Sequence, residues 1–278
     1  MMFGICNLSV IPCRLQPFDK SEMVSQLLFG EHFSILEENE KWAFIKNFAD
    51  NYEGWVDKKQ FVKISEEEYL SLCNQPQHLL FEIFKKVGKK ENLVMGSVLN
   101  HYKKGKFQNA GTNFSFRGKS VLSNRKPNRN NLIKVAKMFL NSPYLWGGRT
   151  FFGIDCSGLT QIVFRLNGIQ LPRDAWQQAE KGETLNFIEE ARNGDLAFFD
   201  NEEGKIIHTG IIINSTISKI KNTITKKEVH SSEFGGEPGP LIIHASGMVR
   251  IDKLDHYGIF NSQTGRYSHN LRLLKKVV

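Results

Sequence analysis

The 278-residue chain has no apolar run near the roughly 18–20 residues that a membrane-spanning helix needs, which excludes a helical membrane protein. Its first ten residues, Met1 to Val10, show no basic start, no sustained apolar stretch and no small-residue cleavage site. They do not read as a secretory signal, and the expected location is the cytoplasm. Cysteine is scarce: Cys6, Cys13, Cys73 and Cys156 are scattered and form no C-x-x-C pair. That excludes a disulfide scaffold, a zinc ribbon and a thioredoxin-type redox pair, and neither a metal nor a cofactor is expected. No repeat of fixed period spans the chain. What remains is an ordinary globular balance, 40% hydrophobic and 24% charged, over enough length for two or three small domains. The net charge of +8 comes without the motif of a nucleic-acid reader. Lysine and arginine are spread widely, with runs at Lys85-Lys86, Lys89-Lys90 and Lys103-Lys104, and read as solvated surface. Neither nucleic acid nor membrane is an expected partner, and a monomer is expected.

Three regions follow one another. Over residues 1–63, strand-length runs recur at about ten-residue spacing between turn signals, which predicts a small β-barrel. Residues 64–125 begin with Ser65 as the cap of a short helix, Glu68 three residues on, and Pro76 beyond it. Leu79 to Val87 and Leu93 to Leu99 then read as strands, and Gly111 marks a turn, so a second, diverged barrel or a linker is expected. The polar run Lys126 to Asn131 is the best boundary, and 126–278 form the last domain. There, Leu132 to Leu140 has helical spacing, and Cys156 to Asn167 reads as a helix with Gly168 past its end. Leu196–Phe199, Ile206–Ile213 and Leu241–Ala245 read as strands. Helices first and antiparallel strands second predict an α+β domain.

Chemistry concentrates on Cys156, which lies in a Gly/Ser/Asp-rich turn and opens a helix. A thiol at a helix N-terminus faces the positive end of the dipole, and a lowered pKa is expected. A thiolate mechanism needs a base and a group to orient it. His208 and His244 each interrupt an apolar strand, and they supply base and orienter; His230, between them, lacks a strand context and is discounted. The intervening run from Asn214 to Pro240, polar and Gly/Pro/Ser/Lys-rich, reads as a hairpin or loop at the cleft edge.

The motifs "Tyr-Leu-Trp-Gly-Gly", "Gly-Ile-Asp-Cys-Ser-Gly-Leu", "Leu-Pro-Arg-Asp-Ala-x-x-Gln", "Gly-Asp-Leu-Ala-Phe-Phe" and "His-Thr-Gly-Ile" occur in that order. With them, residues 130–278 resemble the NlpC/P60 family of cysteine peptidases, whose fold is papain-like. "Gly-Glu-x-Phe-x-Ile-Leu-Glu", "Trp-Ala-Phe-Ile-Lys" and "Tyr-x-Gly-Trp-Val" resemble a bacterial SH3-like domain. The pair is similar to γ-D-glutamyl-L-diamino acid endopeptidases, which implies cleavage of freed murein tripeptides or tetrapeptides carrying an N-terminal L-Ala. An exported murein hydrolase whose SH3-like domains bind the wall is the alternative. The resemblance implies Cys156 as nucleophile, His208 as base, His244 as orienter and Tyr144 as an oxyanion donor. It places Asp155 and Ser157 against substrate, and Asp174, Glu22 and Tyr52 around the substrate amine, with Trp146 as a further contact. Tyr52 and Trp55 equally suit a barrel core, Glu22 a helix surface, Asp174 a helix N-cap, and Trp146 packing beneath the turn. Two departures stand out: Ala175 replaces a serine found in some relatives, and His208 and His244 are 36 residues apart, longer than usual.

Overall fold

In the computed structural model, the described residues are 1–213 and 239–278, so His230 and nearly all of the expected 214–240 loop lie outside them. The first unit has seven strands: β1 (Met2–Cys6), β2 (Val10–Arg14), β3 (Met23–Leu28), β4 (His32–Glu38), β5 (Trp42–Asn47), β6 (Glu53–Asp57) and β7 (Phe61–Ile64). They form one antiparallel sheet in the order β3-β2-β6-β5-β4-β1-β7. The sheet curls round a core in which Ile11, Phe33, Ile45 and Val56 are fully buried. These residues share the inner face of the sheet, so the strand-length runs each contribute to one enclosed core.

Helix α1 (Glu66–Cys73) follows, with the Ser65 side chain accepting from the Glu68 amide at 3.1 Å. Next come seven short strands: β8 (His78–Leu80), β9 (Phe84–Val87), β10 (Glu91–Val94), β11 (Val98–Leu99), β12 (Lys106–Asn109), β13 (Thr112–Ser115) and β14 (Ser120–Leu122). The two longer strands expected here are each cut in two. Gly96, at φ +88°, turns the chain between β10 and β11, a conformation that favours glycine. Phe29, Leu80, Leu93, Phe107, Phe114 and Phe116 make a separate core in which aromatic rings stack and meet edge-on. The charge is also less evenly spread than the sequence reading held. Ten Lys and Arg stand against two acidic residues between His78 and Arg125, while the rest of the chain carries 27 of each sign. The whole surplus therefore belongs to this unit.

The last unit begins with α2 (Arg129–Lys137), the β15 (Arg149–Thr150) and β16 (Gly153–Ile154) ribbon, α3 (Cys156–Arg165) and α4 (Ala175–Gln178). A second seven-stranded sheet follows, built from β17 (Glu183–Leu185), β18 (Leu196–Asp200), β19 (Ile206–Ile213), β20 (Leu241–Ser246), β21 (Met248–Leu254), β22 (Gly258–Asn261) and β23 (Arg266–Lys276). Its order is β17-β23-β18-β19-β20-β21-β22, with β22 also pairing with β23. Every residue of α3 is buried, so the helix runs through the middle of the molecule, packed on β19 and β20. No helix among the described residues is long and apolar enough to cross a membrane.

The three units are not loosely strung. Leu28, Leu79, Val94, Met95 and Val98 pack in the same apolar cluster as residues of α2, α3 and the second sheet. Beside that cluster, Glu31 in the β3–β4 turn is fully enclosed and receives Arg149 (2.8 and 3.0 Å) and Arg165. Burial alone would push the Glu31 carboxyl up, but the two guanidiniums, Arg149 foremost, hold it down at about 2. Arg149 also donates its backbone N–H to Gln26 Oε1 at 2.8 Å. One carboxylate thus locks the barrel to the ribbon and the helix of the last unit.

Candidate active site

Cys156 is the first residue of α3, and Asp155 is the N-cap. The Asp155 Oδ1 accepts from the Gly158 amide at 2.7 Å, and its Oδ2 accepts from the Gly147 amide at 2.9 Å. Fully enclosed Arg173 pairs with both oxygens, donates to Ser157 Oγ at 2.8 Å, and reaches Ser25 Oγ of the barrel at 3.1 Å. Asp155 and Ser157, expected against substrate, have their side chains held by Arg173 and so also seat the thiol-bearing helix. Gln178 of α4 accepts from Thr160 at 2.6 Å and donates to the Ser157 carbonyl at 3.0 Å, tying the next motif to the same turn.

The Cys156 sulfur takes backbone hydrogen bonds from Thr209 and Ser157, which sets it against β19 at the residue that follows His208 in the chain. His208 Nε2 lies 2.9 Å from His244 Nδ1, and His244 Nε2 lies 2.9 Å from Asp252 Oδ2. Arg250 donates to Asp252 Oδ1 at 2.9 Å. The strand register makes this possible: His244 faces Gly210 on β19 and Arg250 on β21, and Asp252 lies two residues beyond Arg250 on the same face. Tyr144 is held by its backbone, which donates to the Gly247 carbonyl at 3.0 Å and bridges to Ile154.

Burial pushes the Cys156 thiol up to about 12, and the Asp155 charge adds to this, against the pull of the amide hydrogen bonds and of Arg173. The lowered pKa expected from the helix terminus is therefore overturned by enclosure in a dry site beside a carboxylate. Burial, then His269 and His244, hold His208 well below the ordinary histidine value. Both shifts favour the uncharged forms, a thiol and a neutral imidazole. Burial and the neighbouring Cys156 and Asp155 raise Tyr144 to about 12, so its hydroxyl remains a donor at working pH.

Three features escaped the sequence reading. Asp252 completes a hydrogen-bonded chain behind the two histidines; a polar residue in the alternating pattern of β21 was its only signal. Arg173 was passed over for its neighbour Asp174. His269 of β23 stacks on His208, with centroids 4.0 Å apart and planes 20° from parallel. Ring nitrogens of His208, His244 and His269 come within 4.8 Å of one another, near enough for a metal donor set. Parallel stacking, however, aims the in-plane lone pairs of His208 and His269 side by side rather than at one point, and we assign no metal.

The barrel meets the site at two places. Trp146, exposed in the loop after Tyr144, donates its indole N–H to Glu22 Oε1 at 2.6 Å. Tyr52, in the β5–β6 turn, hydrogen bonds to the carboxylate of Asp174, next to Arg173. Asp174 is the N-cap of α4, where its backbone N–H donates to Gln177 Oε1 at 3.1 Å in a capping box, and its carboxylate also meets Tyr52 and Trp176. Burial raises its pKa, opposed by Arg173 and the Tyr52 hydrogen bond. Gly147 (φ +75°) lets the Trp146 loop approach β3, since a Cβ there would sit 2.3 Å from the Met23 carbonyl oxygen.

A model of the "NlpC/P60 family" matches residues 141–265, and one of the "Bacterial dipeptidyl-peptidase Sh3 domain" matches residues 14–61. The gamma-D-glutamyl-L-lysine dipeptidyl-peptidase of Bacillus subtilis (strain 168) is 32% identical over 207 residues, 68% of this chain and 69% of that protein. The protein of the same name from Bacillus cereus (strain ATCC 10987 / NRS 248) is 27% identical across 66% of this chain and 62% of its own length. In fold, an NlpC/P60 family protein from Bacillus cereus ATCC 10987 superposes with a TM-score of 0.75 at 17% identity, covering 99% of both chains. An NlpC/P60 endopeptidase from Photobacterium damselae subsp. piscicida gives 0.71 at 18% identity, over 98% of this chain and 70% of that one.

Proposed function

Because the chain belongs to the NlpC/P60 family of cysteine peptidases, we propose that it hydrolyses the γ-D-glutamyl–diamino acid bond of murein peptides bearing a free N-terminal L-Ala. The observation that carries this reading is the meeting of barrel and peptidase. Glu22 and Tyr52 of the barrel engage Trp146 and Asp174, residues placed on either side of the Asp155–Cys156 turn. Two carboxylates, one of them partly withdrawn from water, form a reader for an ammonium group. A substrate lacking that amine leaves them unpaired.

The chemistry runs through the neutral pair. As the Cys156 sulfur bonds to the γ-carbonyl carbon, its proton passes to His208. The oxyanion accepts from the Tyr144 hydroxyl and the Cys156 amide. Collapse breaks the C–N bond, and His208 returns the proton to the leaving amine. Water then attacks the thioester, His208 takes its proton, and the dipeptide leaves with the thiol restored. Peptides with a free amine are released fragments, so we place the reaction in recycling of wall peptides in the cytoplasm; four unbridged cysteines agree with that compartment.

The test compares L-Ala-γ-D-Glu-diaminopimelate with its N-acetyl form. Cleavage of the free peptide at a kcat/KM about 100-fold or more above that of the acetylated one is expected. Equal cleavage of both would refute the amine reader.

A further inference from the structure

We propose that Asp252, held by Arg250, is a positioning residue that sets the proton positions on both histidines and leaves His208 Nδ1 free to accept the Cys156 proton. This inference rests on the assignment of His208 as base in the proposed function.

The argument is one of donors and acceptors. An ionised carboxylate can only accept. Asp252 is 4% exposed and is joined by the Arg250 guanidinium at 2.9 Å, which favours the ionised form. Burial alone would raise its pKa, but the hydrogen bonds from His244 and Arg250 bring it below the ordinary value. The nitrogen facing it at 2.9 Å, His244 Nε2, must therefore carry hydrogen. A neutral imidazole with hydrogen on Nε2 presents a bare Nδ1. His208 Nε2, 2.9 Å from that Nδ1, must in turn be the donor. This leaves Nδ1 as the unprotonated nitrogen of His208. One buried charge thus fixes two tautomers in series, and without it the chain of hydrogen bonds could run either way.

Arg250 is itself fixed. It donates to Gln263 Oε1 at 3.1 Å and to Asn261 Oδ1 at 3.2 Å. The strands β21 and β22 and the turn after β22 therefore hold the guanidinium in place. Among the described residues, the titratable and charged groups on neighbouring elements against His208 and His244 are Asp252 and Arg250 on β21 and His269 on β23, while the Cys156 sulfur bonds to the Thr209 amide, next in the chain to His208. Of these, Asp252 is the group that gives His244 Nε2 an acceptor.

The substitution Asp252→Asn separates this role from packing. An asparagine amide can donate to His244 Nε2, which would reverse the chain and put hydrogen on His208 Nδ1. Asp252→Ala removes the acceptor without imposing the reverse direction. The relay therefore predicts the unusual order that the isosteric variant is the worse enzyme. Asp252→Asn should lower kcat about 10³–10⁴-fold with KM changed less than about threefold, and Asp252→Ala only about 10–100-fold. A role in packing alone predicts the opposite order. Imidazole ¹⁵N NMR of the free enzyme reads the tautomers without any substrate, so it remains decisive if the murein peptide is not cleaved. Hydrogen on His208 Nε2 in the native protein, moved to Nδ1 in Asp252→Asn, is the expected result. Hydrogen on Nδ1 in the native protein, or an unchanged tautomer in the variant, overturns the proposal. Thermal midpoints are expected to fall for both variants, and for Asp252→Ala by no less than for Asp252→Asn, so kinetics that follow the loss of folded protein would also overturn the proposal.

Discussion

At the scale of the residue, burial favours the uncharged forms of the candidate nucleophile and base. Cys156 and His208 are both buried, and both are driven toward their neutral forms. Alkylation of Cys156 by iodoacetamide in the free enzyme should therefore rise with pH throughout the neutral and mildly alkaline range. Mass spectrometry of the Cys156 peptide measures it, and a rate already flat below neutrality would mean a preformed ion pair. His269 is the second lever. It stacks on His208, and its own pKa is held at about 4, by burial first and then by His244, so on acidification its charge opposes that of His208. Replacing it by phenylalanine keeps a ring on the stack and removes that opposition. The His208 imidazolium should then form at higher pH, and the acid limb of kcat/KM should move toward neutrality with the plateau changed less than about threefold.

At the scale of the element, the N-terminus of α3 is more a seat than a source of charge. The helix is buried along its whole length, and Asp155 spends its oxygens on two backbone amides and Arg173. The loop before it matters as much. Gly147 combines a left-handed backbone with a Cβ position that the Met23 carbonyl already fills. Gly147→Ala should cost about 1 kcal/mol or more in stability and push Trp146 away from Glu22. Calorimetry would register a lower unfolding midpoint, and kinetics a raised KM for the free-amine peptide with a smaller change in kcat.

At the scale of the whole molecule, the barrel is part of the peptidase rather than an attachment. The shared apolar cluster and the Glu31–Arg149–Arg165 ion group span units that are far apart in sequence. Glu31→Gln leaves two buried guanidiniums without their counter-charge, and a loss of about 3–5 kcal/mol is expected at pH 7. The Glu31 carboxyl lies at about 2 instead of 4.5, so its contribution is complete above pH 4.5 and is lost as pH falls toward 2. Urea unfolding should accordingly show the gap between native and variant proteins narrowing from pH 7 to pH 3.

Some of this was legible from the order of residues alone. Strand-length runs between turn signals marked β4, β5 and β6, because each strand carries apolar residues to the barrel core and the turns between them do not. Helical spacing ahead of Gly168 marked α3, and a cysteine in a turn before it, with two histidines on apolar strands, marked the candidate site. These are local signals, written in neighbours a few residues apart. The tertiary structure decided what depends on distance. It drove the Cys156 thiol up rather than down, since desolvation exists only once the surrounding units have closed over it. It tied Asp155 and Ser157 to Arg173, and cut two expected strands at turns. It also set Asp252 behind His244 and Glu31 between two arginines, pairings that sheet register and domain packing create and that no sequence window contains.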